Sequence, residues 1–231
     1  MADIWQHLAA AVACRIEFER RCSRGALLDE SGVVRFAAEF FQAEWKGDIR
    51  VGEPHPDLAG KFIDLVGTTP QGGSLNLALE AKWLKNDGGD REWMKEIACD
   101  VFRLQHLTTG TAQGCDRVVL AAGTREMMRD HLWTRSVHTG LGSSVLALPI
   151  ILPRSVSATM AKFQIRQCAA EARQWLKRCH TKLGAPLPST FDASMAGHYR
   201  TWIGADAVEV AVWVCTRPQG WGSFDAAAEW P

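Results

Sequence analysis

The sequence predicts an α/β protein, a mixed sheet flanked by helices, in one domain over residues 1–231. Three observations predict it. Apolar residues recur at helical spacing in several segments, at both ends of the first half and again late in the chain. Between these segments the period shifts to two, in short runs rich in Val, Ile and Leu. Clusters of Gly, Pro and Asn separate the two kinds of segment. A hairpin set among helices, followed by more strands, calls for a sheet with helices packed on it. The 231 residues suffice for one large core. With 47% hydrophobic and 23% charged residues the chain is not of the disordered class. Its 26 Lys+Arg cancel 26 Asp+Glu, which argues against a passive nucleic-acid coat or a polybasic membrane-surface protein.

Taken in order, Ile4 to Cys22 carries an apolar stripe of Ile4, Leu8, Val12 and Ile16, with Arg15, Glu19 and Arg20 off it, and predicts a helix. A second helix runs from Glu30 to Trp45 on Val33, Phe36, Ala37, Phe40 and Phe41, ended by Gly47. Strands follow at Asp48–Val51, Lys61–Thr68 and Leu75–Leu84, the last two joined by a turn cluster, Pro70-Gln71-Gly72-Gly73-Ser74. Glu92 to Leu107 is a helix, 117–122 a strand, 125–133 a short helix and 144–152 a strand. A long helix over 157–183 precedes a Pro-rich connector, 184–190, and a last strand, 208–215.

Seven Cys without a CxxC pair, and no charged-then-apolar leader at Met1, predict free thiols in a reducing cytoplasmic setting and give no zinc spacing. The longest apolar run, Val145 to Leu152, falls far short of the roughly 20 residues that span a bilayer, so no membrane partner is expected. Gly140-Leu141-Gly142-Ser143-Ser144 is neither a P-loop nor a dinucleotide fingerprint, and no organic cofactor is expected. No Gly-x-Ser-x-Gly occurs.

The chemistry concentrates where charges interrupt apolar strands: Ile63-Asp64-Leu65-Val66 and Leu79-Glu80-Ala81-Lys82-Trp83. Side chains alternate along a strand, so Leu75, Leu77, Leu79, Ala81 and Trp83 take the core face and Glu80 and Lys82 the other. A five-residue loop centred on Gly72 pairs residues whose numbers sum to 144, which sets Asp64 opposite Glu80. Directly opposed Cβ atoms lie about 4.5–5.5 Å apart. Two carboxylates so placed repel unless a cation lies between them or one is protonated. A hard divalent cation is the natural partner. The bland alternative is a cross-strand ion pair on a solvated face, worth about 0–1 kcal/mol.

These residues resemble the PD-(D/E)XK nuclease superfamily, the restriction-endonuclease-like fold, over residues 30–122. The matching residues are Asp64 and Glu80-Ala81-Lys82; Asp100, Arg103 and Leu104 resemble an Asp-x-x-Arg-Leu on the next helix, and Glu53 a first-strand Glu. The N-terminal helix (1–25) and residues 153–231 are then additions to that core. Pro56-Asp57 is the alternative Pro-Asp, although it sits in a loop. Glu30, Glu39 and Glu44 compete for the helix carboxylate; Glu30 is preferred because it begins the helix. The resemblance implies metal-dependent phosphodiester hydrolysis. Asp64 and Glu80 would hold Mg2+ or Mn2+, Lys82 would position water or stabilise the transition state, and Glu30 would assist through water. DNA is the implied substrate, in defence, restriction or repair, and a homodimer would serve duplex cutting. A nuclease-like fold turned inactive binding module is the alternative.

Charge is unevenly spread. Residues 154–182 hold seven Lys or Arg against Glu171, including Lys162, Arg166, Arg173 and Lys177, the expected nucleic-acid contacts. Residues 26–64 hold eight acids against four bases. His55 lies nearest the candidate site but reads as an exposed loop residue; the other histidines follow no ligand spacing. Trp83 and Trp213 read as packed in strands, and Trp221 and Trp230 as anchoring the tail.

Overall fold

A computed structural model describes residues 2–45, 47–70, 73–85, 90–134, 152, 161–165, 170–201, 206–217 and 222–230. Among them a seven-stranded mixed sheet has the order β1-β2-β3-β4-β8-β7-β5. The strands are β1 (Ile49–Pro54), β2 (Phe62–Thr68), β3 (Leu75–Leu84), β4 (Thr111–Thr124), β5 (Ala161–Gln164), β7 (Thr190–Arg200) and β8 (Val208–Thr216). Among the described strands only β3 and β4 run parallel, joined by the crossover helix α3 (Asp90–His106) as parallel neighbours require. The α/β class and the flanking helices are those the periodicity predicts.

Helices α1 (Ala2–Arg21) and α2 (Glu30–Glu44) cover one face. Trp5, Leu8, Val12, Ile16, Val33, Phe36 and Phe41 pack there on Leu65, Leu77, Leu79, Ala81, Val118, Leu120 and Val210. The Asp29 carboxylate caps α2, accepting from Gly32 N at 2.8 Å. Helix α3 covers the other face together with α5 (Ala170–Leu183), through Ile97, Val101, Phe102, Leu176 and Cys179 against Ala78, Val119, Ala211 and Trp213. Both faces are therefore covered, which strands rich in Val, Leu and Ala on both sides permit.

The β2–β3 register is the expected one: Leu65 pairs with Leu79, Val66 with Ala78 and Gly67 with Leu77, before a bulge at Gly67/Thr68. The second half of the chain departs from expectation. The long helix over 157–183 is instead an edge strand, β5, followed by α5. β5 pairs antiparallel with β7, and that ladder outweighs local helical spacing. Strand β7 was not expected, because Ser194, Ala196, Gly197 and His198 have little strand propensity. Its inward residues Phe191, Ala193 and Met195 are nonetheless buried. The Pro-rich connector contains β6 (Leu187–Pro188), which pairs with β9 (Ser223–Phe224) in a second small sheet, so 208–215 is an interior strand and not the last. The short helix at 125–133 appears as α4 (Arg125–Met128) continued by a π-helical turn, Arg129–Thr134, and α6 (Ala226–Glu229) closes the chain. The strand expected over 144–152 lies outside the described residues except Leu152, which is buried. Among the described residues no helix is long and apolar enough to cross a membrane.

Candidate active site

Four elements bring six charged side chains together: Glu30 from the first turn of α2, Asp64 from β2, Glu80 and Lys82 from β3, and Asp100 and Arg103 from α3. Because β3 is central and α3 lies over its second face, Glu80 is fully buried, and Asp100 and Lys82 nearly so. The solvated-face ion pair is thereby excluded: α3 closes over the face that alternation alone leaves open. Asp64 stands one residue beyond the Leu65–Leu79 pair. Its Oδ2 accepts a hydrogen bond from Ala81 N at 2.8 Å, anchoring it between Glu80 and Lys82.

Lys82 Nζ donates to both carboxylate oxygens of Glu30 at 2.9 Å and lies 3.1 Å from Asp100 Oδ2. Arg103 grips Glu80, Nε reaching Oε1 at 2.8 Å and Nη2 reaching Oε2, while Nη2 also donates to Asp100 Oδ1 at 2.8 Å. Asp100 thus joins both cations. Four carboxylates face two cations, leaving two formal negative charges. The field of that excess acts on Glu80, Asp100, Glu30, Lys82 and Arg103. Burial, then Asp64 and Asp100, push the Glu80 carboxyl well above its ordinary value, against Arg103. Burial raises Asp100 and Glu30 as well. Burial opposes the charges of Lys82 and Arg103, but the acids outweigh it and raise both pKa values: Asp100 and Glu30 for Lys82, Glu80 and Asp100 for Arg103. Both bases stay protonated.

The competing assignments separate cleanly. Asp57 is spent on structure. Its carboxylate accepts from Thr108 N at 2.6 Å and Thr109 N at 3.0 Å, tying the loop before β2 to the residues after α3. Those bonds, with two from the Thr hydroxyls, hold its pKa down despite burial. Glu39 faces Arg35 at 3.9 Å on the exposed side of α2, and Glu44 is exposed; Glu30 is the helix carboxylate that joins the cluster. Glu53 pairs with Arg50 on β1 at 3.1 Å. His55, expected to be exposed, is buried: Nδ1 accepts from Asp57 N and Nε2 faces the Arg103 carbonyl at 3.1 Å. It braces the end of α3.

In the sequence Asp100 and Arg103 only resemble a helix motif. That they clasp Lys82 and Glu80 was not readable, although two charges three residues apart in an otherwise apolar stretch of helix were the signal. Of the expected nucleic-acid contacts, Arg173 is exposed on α5 with its guanidinium 5.5 Å from the Trp230 ring, and Lys177 is half-buried there. Trp230 also stacks near Phe224, at 4.7 Å between centroids, anchoring the tail. Lys162 lies on β5, and Arg166 and Trp221 lie outside the described residues.

Hard carboxylate oxygens and two excess negative charges suit Mg2+ or Mn2+. Two observations stand against a ready-made site: Arg103 holds both Glu80 oxygens, and among the described residues no three His, Cys, Asp or Glu side chains converge on one point. Asp64 and Glu80 are the carboxylates whose chemistry suits such a cation, and Arg103 competes with it for Glu80. No family model, curated protein or solved structure matches the chain, so a functional reading stands on this cluster.

Proposed function

We propose that the chain is a metal-dependent nuclease of the PD-(D/E)XK kind, acting on phosphodiester bonds of DNA in cytoplasmic defence, restriction or repair. One observation carries the reading: Asp64 of β2, bonded to Ala81 N of β3, stands close enough to Glu80 to raise its pKa, with Lys82 held charged beside them by Glu30 and Asp100. Asp64 and Glu80 are the residues to hold Mg2+ or Mn2+, which when bound lowers the pKa of a coordinated water and neutralises phosphate charge. Lys82, pinned between two carboxylates, is placed to donate to a phosphate oxygen or orient the attacking water. Glu30, at the more exposed edge of the cluster, orients Lys82 and can accept a proton from water. Arg173 and Lys177 on α5 supply cations for the DNA backbone, and a homodimer would bring two such sites to a duplex.

A second reading, an inactive nuclease-like module that binds nucleic acid or protein, is favoured by one observation. Arg103 fills the position next to Glu80 that a cation needs.

The test is cleavage of plasmid, linear duplex, single-stranded DNA and RNA with Mg2+ or Mn2+ and with chelator. The nuclease reading expects cleavage that chelator abolishes and that Lys82→Ala removes in a folded protein. It also expects Mn2+ to raise thermal stability, by about 2.7 kcal/mol at 100-fold excess over Kd, and Asp64→Asn to erase the rise. Binding of DNA without cleavage under any metal, and no Mn2+ shift, replaces this reading with the second.

A further inference from the structure

Cations and aromatic rings alternate along the mouth of a cleft between α1 and α2. The Arg24 guanidinium lies 5.8 Å from the exposed Phe18 ring, and Arg15 lies 5.6 Å from Phe18 and 5.6 Å from Phe36. Arg35 lies 5.2 Å from Phe36. The order is Arg24, Phe18, Arg15, Phe36, Arg35. Phe18, against Arg15 and Arg24, stands beside a cleft of about 680 Å3 that Arg15, Arg24, Arg35 and Phe36 line. Its floor includes the first turn of α2, where Gly32 presents no side chain and a Cβ would meet nothing nearer than Asp29 Oδ1 at 3.5 Å.

The acids lining the cleft are largely committed. Glu19 is buried and pairs with Arg15 at 3.4 Å and with Arg24, which hold its pKa down. It braces two guanidiniums in place. The Asp29 carboxylate caps α2. Arg15 and Arg24 are about half exposed and Arg35, paired with Glu39 at 3.9 Å, is 63% exposed; with Glu19 buried, a ligand meets three guanidiniums and the carboxylates of Asp29 and Glu39. Each of these arginines approaches its acid through Nε, and a guanidinium carries five N–H donors. Flat guanidinium and ring surfaces interleaved with phosphate donors are what a sequence-tolerant single-strand binder needs. Asp29 and Ser31 line this cleft while Glu30 between them binds Lys82. The cleft and the acidic cluster therefore meet at one turn of α2.

We infer that this cleft binds a segment of single-stranded nucleic acid, phosphates on Arg15, Arg24 and Arg35 and a base against Phe18, and leads the strand to Glu30 and Lys82. The inference deepens the nuclease reading and rests on it for the choice of a nucleic-acid occupant. It moves the main contact surface from α5 to α1 and α2.

The experiment is fluorescence anisotropy of a labelled oligo-dT in chelator, where nothing is cut, across a salt series. Phe18 and Arg35 are exposed, so Phe18→Leu and Arg35→Gln are expected to retain the fold, checked by circular dichroism. Phe18→Leu is expected to weaken binding about five-fold or more. Arg35→Gln is expected to weaken it and to reduce the log–log salt slope by about 0.7, one phosphate contact. Gly32→Gln, which fills the cleft without removing a charge, is expected to weaken binding too. Unchanged affinity and slope in all three overturn the inference, as does tighter binding of duplex than of oligo-dT by the unaltered chain. Equal affinity for thymidine monophosphate and oligo-dT also overturns it, assigning the cleft to a free nucleotide. Binding that passes these tests in a chain that cleaves nothing with Mn2+ keeps the cleft and removes the nuclease reading. Metal-dependent cleavage with unaltered binding in all three variants does the reverse.

Discussion

Glu80 has no exposed surface and meets the Arg103 guanidinium with both oxygens, so each partner depends on the other. Removing one member of a buried pair leaves an uncompensated charge, which costs about 3–5 kcal/mol, while replacing both with apolar groups is far milder. Arg103→Met in metal-free protein is expected to destabilise by about that amount, and Glu80→Met/Arg103→Met to recover most of it. Urea unfolding of the two single variants and the double variant checks this as a double-mutant cycle. At this scale the sequence was informative about identity and silent about pairing. Asp64, Glu80 and Lys82 were legible because a charge inside an apolar strand is costly unless something uses it. The hold of Asp100 on Lys82 and of Arg103 on Glu80 was not, since it depends on the angle at which α3 crosses β3.

At the scale of elements, the Gln6 side chain of α1 clasps the backbone of β7. Gln6 Nε2 donates to His198 O at 2.8 Å and His198 N donates to Gln6 Oε1 at 3.0 Å. Beside this pair a Cβ on Gly197 would stand 2.2 Å from Trp5 O. Gly197→Ala must therefore push α1 off the sheet, and overpacking of this kind costs about 1–3 kcal/mol. Thermal unfolding of that variant is expected to show a lower midpoint. β7 was invisible in the sequence because Gly197 is small for a reason that lies far away in the chain: it lets α1 approach at Trp5. β3 was legible to the residue because its ten residues, Leu75–Leu84, are bounded by turn chemistry on one side and a polar loop on the other.

For the whole molecule, carboxyl pKa shifts of opposite direction set the pH range of stability. Burial opposes the Glu209 charge, but hydrogen bonds from His198 at 2.8 Å and Trp133 at 2.9 Å, with Arg200, lower its pKa below the ordinary 4.5. Its contribution is complete above that ordinary value and is lost as pH falls through the lowered folded value. Asp57, also lowered, acts the same way. Glu30, Glu80 and Asp100 are raised. They hold more protons folded than unfolded, so stability declines as pH climbs from their ordinary values through the raised ones. Metal-free protein is thus expected to be most stable at mildly acidic pH. Glu209→Gln is expected to flatten the acid side alone, as read from urea midpoints across a pH series.

The sequence by itself determined the α/β class, the two N-terminal helices, the β2–β3 hairpin with its register, and the residues Asp64, Glu80 and Lys82. All of these are local: periodicity, loop length and the cost of charge in an apolar run act within a few tens of residues. Only the tertiary structure decided that Glu80 is fully buried, that Glu30 and not Glu39 or Glu44 reaches Lys82, that Arg103 guards Glu80, and that 161–164 joins a sheet. Each depends on which helix covers which face, and packing of both faces of the sheet at once is what sets that.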